Sequence, residues 1–235
     1  MNSTRHEAEP PTGVVAKVAA VPPAPSEPIA AVPNREDPRF HRLLEVTRRA
    51  AKDGYDAVSM RTVAREAKMS LNTVYQFCTS KDQLIAEAHA ERMDDFRISL
   101  SKRPPRGENA EERVKVVLRG IARALSREET LTRTLMRSIY SGATGVGAAR
   151  HALGATHATM LDAAIGDDDI DDRAAVIETL GHVINSVMIN WLNHGLDAKQ
   201  AATVLDDAAR ALLRPRSVGG VAVMDGSNGT RSTQR

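Results

Sequence analysis

Cysteine and aromatic residues are scarce in this chain, and each scarcity narrows what it can be. One cysteine, Cys78, among 235 residues rules out an internal disulfide. That composition fits a reducing compartment such as the cytoplasm. No apolar run approaches the ~18 residues needed to span a bilayer. The stretch Val14–Ala20 is interrupted by Lys17 and followed by prolines, so it does not read as a secretory signal. Aromatics are 3% of the chain, and the apolar 42% is mostly Ala and Leu, which favour helices. No segment alternates like a strand. Neither sign of charge dominates: 32 Lys+Arg face 30 Asp+Glu, a net +2. Any binding to nucleic acid must therefore rest on local charge.

The templates of enzyme and metal chemistry are also missing. The seven histidines contain no H-E-x-x-H motif and no i, i+4 pair, and a lone cysteine does not build a zinc site. The acidic run Asp167–Asp172 lacks the alternating ligands and glycine of a calcium loop, and is better read as loop solvation that caps the next helix. Gly142-x-x-Gly145-x-Gly147 has no Lys-Ser/Thr behind it and no strand before it, so it is a loop rather than a phosphate cradle. No nucleophile-elbow pattern occurs. The expectation is a non-enzyme with no metal and no cofactor.

What remains is an all-α pattern. Eight of the eleven prolines fall within residues 1–38, which makes 1–35 a Pro-rich arm. Residues 215–235 form a Gly/Ser/Thr-rich tail. Between them, Phe40, Leu43, Leu44, Thr47, Ala50 and Ala51 line one face of a first helix. Ser59 caps a second and Ser70 a short third, buried through Leu71, Val74 and Cys78. Ser80-Lys-Asp-Gln83 has the form of a capping box and starts a fourth helix that runs to about Leu100. Pro104-Pro105 breaks the chain. Further helices are expected at about 108–127, 129–141, 147–165, 172–194 and 197–213.

The second and third helices are joined by about three residues around Lys68-Met69-Ser70, which is helix-turn-helix spacing. Such a unit places its second helix in the major groove. With the apolar positions used for packing, Asn72, Thr73, Gln76, Tyr75 and Phe77 are expected to point outward. Asn and Gln match adenine bidentately, and Thr reaches a base edge or phosphate. Lys81, in the first turn of the fourth helix, joins free N–H groups that grip a phosphate; Arg61 stands similarly on the second. Many short helix pairs are only structural, so spacing alone leaves both readings open.

The run Gly54-Tyr-Asp-Ala-Val-Ser-Met-Arg-Thr-Val-Ala64, then Ser70-Leu-Asn-Thr-Val-Tyr-Gln-Phe77 and Ser80-Lys-Asp-Gln-Leu84, resembles the DNA-binding domain of TetR-family repressors over about residues 38–90. The resemblance implies an N-terminal helix-turn-helix domain (36–85) and a helical ligand-binding and dimerisation domain (86–214). It also implies DNA contacts from Thr73, Tyr75 and Lys81, with Arg61, Ser70, Asn72, Gln76 and Phe77 on the same face. The further implication is a homodimer paired through the helices at 172–194 and 197–213, and a ligand that lowers affinity for operator DNA. Three positions depart from the family pattern: Asn72 stands where Gly is usual, Cys78 where a core Phe is usual, and Thr79 where Pro is frequent.

A narrower resemblance, carried by Gly54–Arg61, Leu131-Thr…Met136-x-x-x-Tyr140 and Asn185…Trp191-Leu192, is to the steroid-catabolism repressors of actinobacteria. It implies control of sterol or lipid degradation and a steroid-derived or fatty acyl-CoA effector. Met136, Ile139, Tyr140, Met160, Ile184, Met188 and Trp191 are candidates for an apolar pocket, though the same residues equally suit a helix-bundle core. Arg119, Arg123, Arg127, Arg133 and Arg137 could meet the phosphates of a thioester, or form solvated helix faces. Efflux regulators with a different hydrophobic effector are the alternative; their pockets are usually aromatic and acidic, and this chain is poor in aromatics.

Overall fold

Asp37 opens the first helix: its carboxylate accepts from the Arg39 backbone N–H at 2.8 Å, and Pro38 occupies the position where a missing N–H costs nothing. The computed structural model describes residues 33–214. Nine α-helices and one 3₁₀ turn occur among them, without strands. They are α1 (Pro38–Ala51), the 3₁₀ turn Tyr55–Ala57, α2 (Met60–Ala67), α3 (Leu71–Phe77) and α4 (Lys81–Lys102), followed by α5 (Ala110–Arg127), α6 (Glu129–Ile139), α7 (Val146–Ile165), α8 (Arg173–His194) and α9 (Ala198–Leu213). No described helix is long and apolar enough to cross a membrane. The tail at 215–235 lies outside the described residues, as does the arm except for 33–35. There Pro33 is buried and Arg35 is bound to Glu87, so the packed chain begins before the expected boundary at 36.

Two apolar clusters organise the helices. The first gathers α1, α2, α3 and the N-terminal half of α4 around Phe40, Leu43, Val63 and Val74, with Leu131 and Leu135 reaching in from α6. The second joins α4 to α5–α9 around Leu118, Ile139, Leu161, Leu180 and Ile184. Each such fully buried side chain contributes about 1.5–3 kcal/mol. Helix α4 belongs to both: Leu84, Ile85 and Ala88 face the first cluster, and Ala86, Ala90 and Met93 face the second. A single rigid helix therefore spans the two halves of the molecule.

The capping details correct two expectations. Gln83 does not close a capping box on Ser80. Its Oε1 instead accepts from the backbone N–H of Thr79 at 2.7 Å and from the Thr79 hydroxyl at 2.9 Å. The departure at Thr79 is thus matched by Gln83, because a proline there would offer neither donor. Gly145, at φ +86°, is required as well, since an added Cβ would meet the Gln83 amide at 2.7 Å. The acidic run does not cap the helix that follows it: Asp172 makes no side-chain cap on α8. Asp168 instead reaches back to α5, accepting from the Ala110 backbone N–H at 2.6 Å and from Arg113 at 2.8 Å. Arg113 at the same time donates to the terminal carbonyls of α7 at Ala164 and Ile165. Among the described residues no cluster of His, Cys, Asp and Glu is arranged to hold a metal.

Candidate nucleic-acid interface and effector cavity

The turn between α2 and α3 is held by three local devices. The Ser59 hydroxyl accepts from the Thr62 N–H at 3.1 Å and starts α2. Lys68 ends it in the left-handed conformation at φ 57°, with its N–H on the last carbonyls. The Ser70 hydroxyl accepts from the Thr73 N–H at 3.0 Å and lies 2.8 Å from the Thr73 hydroxyl. Ser70 is therefore engaged first as a cap.

Helix α3 turns Val74 and Phe77 inward and leaves Asn72, Tyr75 and Gln76 exposed, with Thr73 at the edge. Tyr75 is 49% exposed, unusual for so large an apolar side chain. The expectation for Phe77 is corrected. Its ring stacks on Phe40 with centroids 5.2 Å apart and is 8% exposed, because α1 offers an apolar partner at that position. Cys78 is fully buried, and burial pushes its thiol pKa up, so it is an inert core residue rather than a reactive one. Arg61 is exposed near the start of α2.

Lys81 is not simply a free cation. Its ammonium lies 3.7 Å from the centre of the Tyr55 ring, and the Arg137 guanidinium of α6 lies 4.0 Å from the same ring. Partial burial lowers the Lys81 pKa. The Tyr55 hydroxyl donates to Asp82 at 3.1 Å, and the Ser138 hydroxyl of α6 donates to the same oxygen at 2.8 Å. The first turn of α4 is thereby wired to α6.

Deeper in the molecule, α4 to α8 enclose a narrow cavity of about 20 Å³. Of the residues proposed for a ligand pocket, Met136, Tyr140 and Met188 line it; Ile139, Met160, Ile184 and Trp191 are buried in the surrounding core. Trp191 lies under the Arg133 guanidinium, 4.6 Å from its ring centre. None of the five arginines proposed for phosphate binding lines the cavity. Arg119 pairs with Asp206, Arg133 with Glu129, and Arg137 stacks on Tyr55.

The sequence reading missed the polar half of the lining: His89, Arg92, Thr132, His157 and Asn185. Burial pushes the His89 pKa down to about 3, with Arg92 and His157 adding to the effect, and that of His157 down to about 4. Both imidazoles are neutral at pH 7. The His89 Nδ1 is buried and has no hydrogen-bond partner among the described residues. Arg92 is mostly buried and makes only long contacts, 3.4 Å to the Thr132 hydroxyl and 3.5 Å to Glu128. The Tyr140 hydroxyl donates to Asn185 Oδ1 at 3.0 Å. Periodicity carried a signal for both histidines: Ile85-His89-Met93 and Leu153-His157-Leu161 place each one in an apolar i, i+4, i+8 stripe.

The apolar faces of α8 and α9, the helices expected to pair two protomers, are largely used within one. Leu180, Ile184, Val187, Met188 and Trp191 of α8, and Ala201 and Leu205 of α9, are buried inside the chain, because α8 and α9 pack on one another and on α5–α7. The outward remainder includes Ile189 and Val204, 38% and 44% exposed, and Val204 lines a groove of about 430 Å³ formed by both helices.

A helix-turn-helix unit is joined by one continuous helix, α4, to an all-α domain, the architecture of a helix-turn-helix transcriptional regulator. The tetR-family model of bacterial regulatory proteins matches residues 43–88, and the tetracyclin repressor-like C-terminal domain model matches 107–212. The chain belongs to the TetR family, whose members are transcriptional regulators rather than enzymes. It is similar to the HTH-type transcriptional repressor KstR of Rhodococcus jostii (strain RHA1), 31% identical over 185 residues that cover 77% of this chain and 85% of that one. KstR of Mycobacterium tuberculosis (strain ATCC 25618 / H37Rv) is 25% identical over 177 residues, 74% and 80% of the two chains. Among solved structures, a TetR regulator from Rhodococcus sp. RHA1 superposes with a TM-score of 0.63 at 24% identity, over 76% of this chain and 97% of that one. FadR of Bacillus subtilis in complex with stearoyl-CoA superposes at 0.56 and 12% identity, over 74% and 98%, a likeness of fold alone.

Proposed function

We propose that this protein is a ligand-responsive repressor. It binds operator DNA as a homodimer through α8 and α9, governs genes of sterol or lipid breakdown, and is released by a steroid-derived or fatty acyl-CoA. The observation that carries this reading is the double membership of α4. Lys81 stands at its DNA end, and His89, Arg92 and Met93 line the cavity. Lys81 and His89 are eight residues apart, about 12 Å along the helix. A cavity of about 20 Å³ holds a single water at most, whereas ligand pockets measure about 300–1,000 Å³. An effector therefore needs an expanded cavity, and expansion displaces α4 or the helices against it. That difference in affinity between two states is what a release mechanism requires. A coupling of about 1–3 kcal/mol changes operator occupancy roughly 5- to 150-fold.

Asn72, Tyr75 and Gln76 face the groove in this reading, Thr73 flanks them, and Arg61 and Lys81 hold phosphates. The similarity to KstR repressors supports the class of regulated genes, and the acyl-CoA in a protein of the same fold supports the effector class. The groove lined by Val204, and the exposed Ile189 on α8, support pairing through α8 and α9. The cavity is lined by Arg92 and by no carboxylate, which counts against the cationic drugs of an efflux regulator. The test is a mobility shift on the protein's own upstream region, with a panel of steroid and fatty acyl-CoA thioesters. Specific binding that every thioester leaves intact would discard the effector.

A further inference from the structure

Resting on the reading that Lys81 holds an operator phosphate, we infer that Arg137 is a positioning residue for that contact. It stands on α6, in the C-terminal domain, and acts on Lys81 through Tyr55. Both cations lie over the same ring: the Lys81 ammonium is 3.7 Å from its centre and the Arg137 guanidinium 4.0 Å. Neither side chain makes an ion pair or a hydrogen bond among the described residues, so the ring is the contact that fixes each of them. Their mutual repulsion is screened by solvent, since Arg137 is exposed.

The ring is itself clamped. The Tyr55 hydroxyl donates to Asp82 Oδ1 at 3.1 Å, and the Ser138 hydroxyl donates to the same oxygen at 2.8 Å. Tyr55 belongs to the 3₁₀ turn ahead of α2, Asp82 to α4, and Arg137 and Ser138 to α6. Hydrogen bonds thus tie the edge of the ring to α4 and α6, and Arg137 holds its face. A guanidinium is planar and stacks on an aromatic face, which an ammonium does not. A lysine side chain free in solvent samples many rotamers, and gripping a phosphate freezes them. Resting on a fixed ring, the Lys81 stem is already ordered, so less freedom is lost on binding. Its ammonium has three N–H donors and no described acceptor, so they stay available to the phosphate. Loss of Arg137 frees the ring, and Lys81 loses its preorganisation with it.

The test is a double-mutant cycle on operator affinity, with the full-length protein and its own upstream region, read by fluorescence anisotropy across a salt series. Lys81→Ala should weaken binding and lower the salt slope by about one. Arg137→Ala should weaken it roughly two- to fivefold, the size of one exposed cation–π contact, with the salt slope unchanged. In the Lys81→Ala background, Arg137→Ala should cost nothing more. Arg137→Lys, which keeps the charge and loses the planar stack, should recover only part of the affinity. Tyr55→Leu, which removes the ring, should make the protein indifferent to Arg137→Ala as well. Equal losses from Arg137→Ala in both Lys81 backgrounds, or a salt slope that it lowers, mean that Arg137 acts on the DNA or the fold directly. Either result overturns the inference and leaves Lys81 as a phosphate contact, as does an Arg137→Ala variant that binds like the wild type. Should Lys81→Ala itself leave affinity and salt slope unchanged, the phosphate reading falls and this inference with it.

Discussion

Lowering the pH from 7 to 5 is expected to cost this protein about 4 kcal/mol of stability, because His89 and His157 are buried in their neutral form. Their folded pKa values, about 3 and about 4, lie below the ordinary histidine value of 6.5. The sign follows from proton uptake. Below pH 6.5 the unfolded chain binds a proton at each histidine and the folded chain does not, so stability is complete above 6.5 and falls until the folded groups titrate. Each pH unit in that window is worth about 1.4 kcal/mol per histidine, or nearly 2 kcal/mol for each between pH 7 and pH 5. The lowered carboxylates Asp37, Glu128 and Asp168 have ordinary values of 3.8 to 4.5 and act mainly below this range. Glu87, whose pKa burial raises, works in the opposite sense and is common to every variant compared. The assay is urea denaturation from pH 7.5 to 5 at fixed protomer concentration, because the stability of the proposed dimer depends on concentration. His89→Gln or His157→Gln should remove about half of the pH slope, and the double variant nearly all of it. A slope unchanged in the double variant would refute the reasoning.

Arg35 and Glu87 give a second stability test. Glu87 is 1% exposed and takes two hydrogen bonds from Arg35 at 3.0 and 3.1 Å. Arg35→Ala leaves that carboxyl without its partner and should destabilise by about 1–3 kcal/mol, read as a lower urea midpoint, and adding Glu87→Gln should recover part of the loss. On DNA, Lys81→Ala should weaken binding to all sequences and flatten the salt dependence, while Asn72→Gly should change which operator is preferred; equal losses from both on every operator would contradict that division. Met136→Trp, which overfills a cavity of about 20 Å³, should push α4 aside as an effector would and lower operator affinity without any thioester, measured by mobility shift. Val204→Asp with Ile189→Asp should shift the chain toward monomer in sedimentation and lower operator affinity; an intact dimer would move the interface elsewhere.

The helices were legible because their signals are local. Ser59, Ser70 and Ser80 each cap the helix they precede, and the Ala- and Leu-rich stripes have a helical period. What failed were the inferences that depend on a partner helix. Phe77 read as an outward aromatic on the recognition helix, and only the position of Phe40 on α1 turns it inward. Gln83 stood at the capping-box position, yet Thr79 lay closer to its amide oxygen. On α8, an apolar stripe says that a face is covered without saying by what; Leu180 and Ile184 are covered by the chain's own core. The polar wall of the cavity was missed for a related reason. His89 and His157 fit no metal or catalytic pair in the sequence; what distinguishes them is their place in apolar stripes, where a buried imidazole is costly without a hydrogen-bond partner.

The most direct test of the account is a mobility shift at controlled salt on the protein's own upstream region, with and without a steroid-derived acyl-CoA. The account predicts a sequence-specific complex that the thioester dissolves and that Met136→Trp weakens even without thioester. A specific complex indifferent to steroid and fatty thioesters would contradict the coupling of cavity to operator through α4.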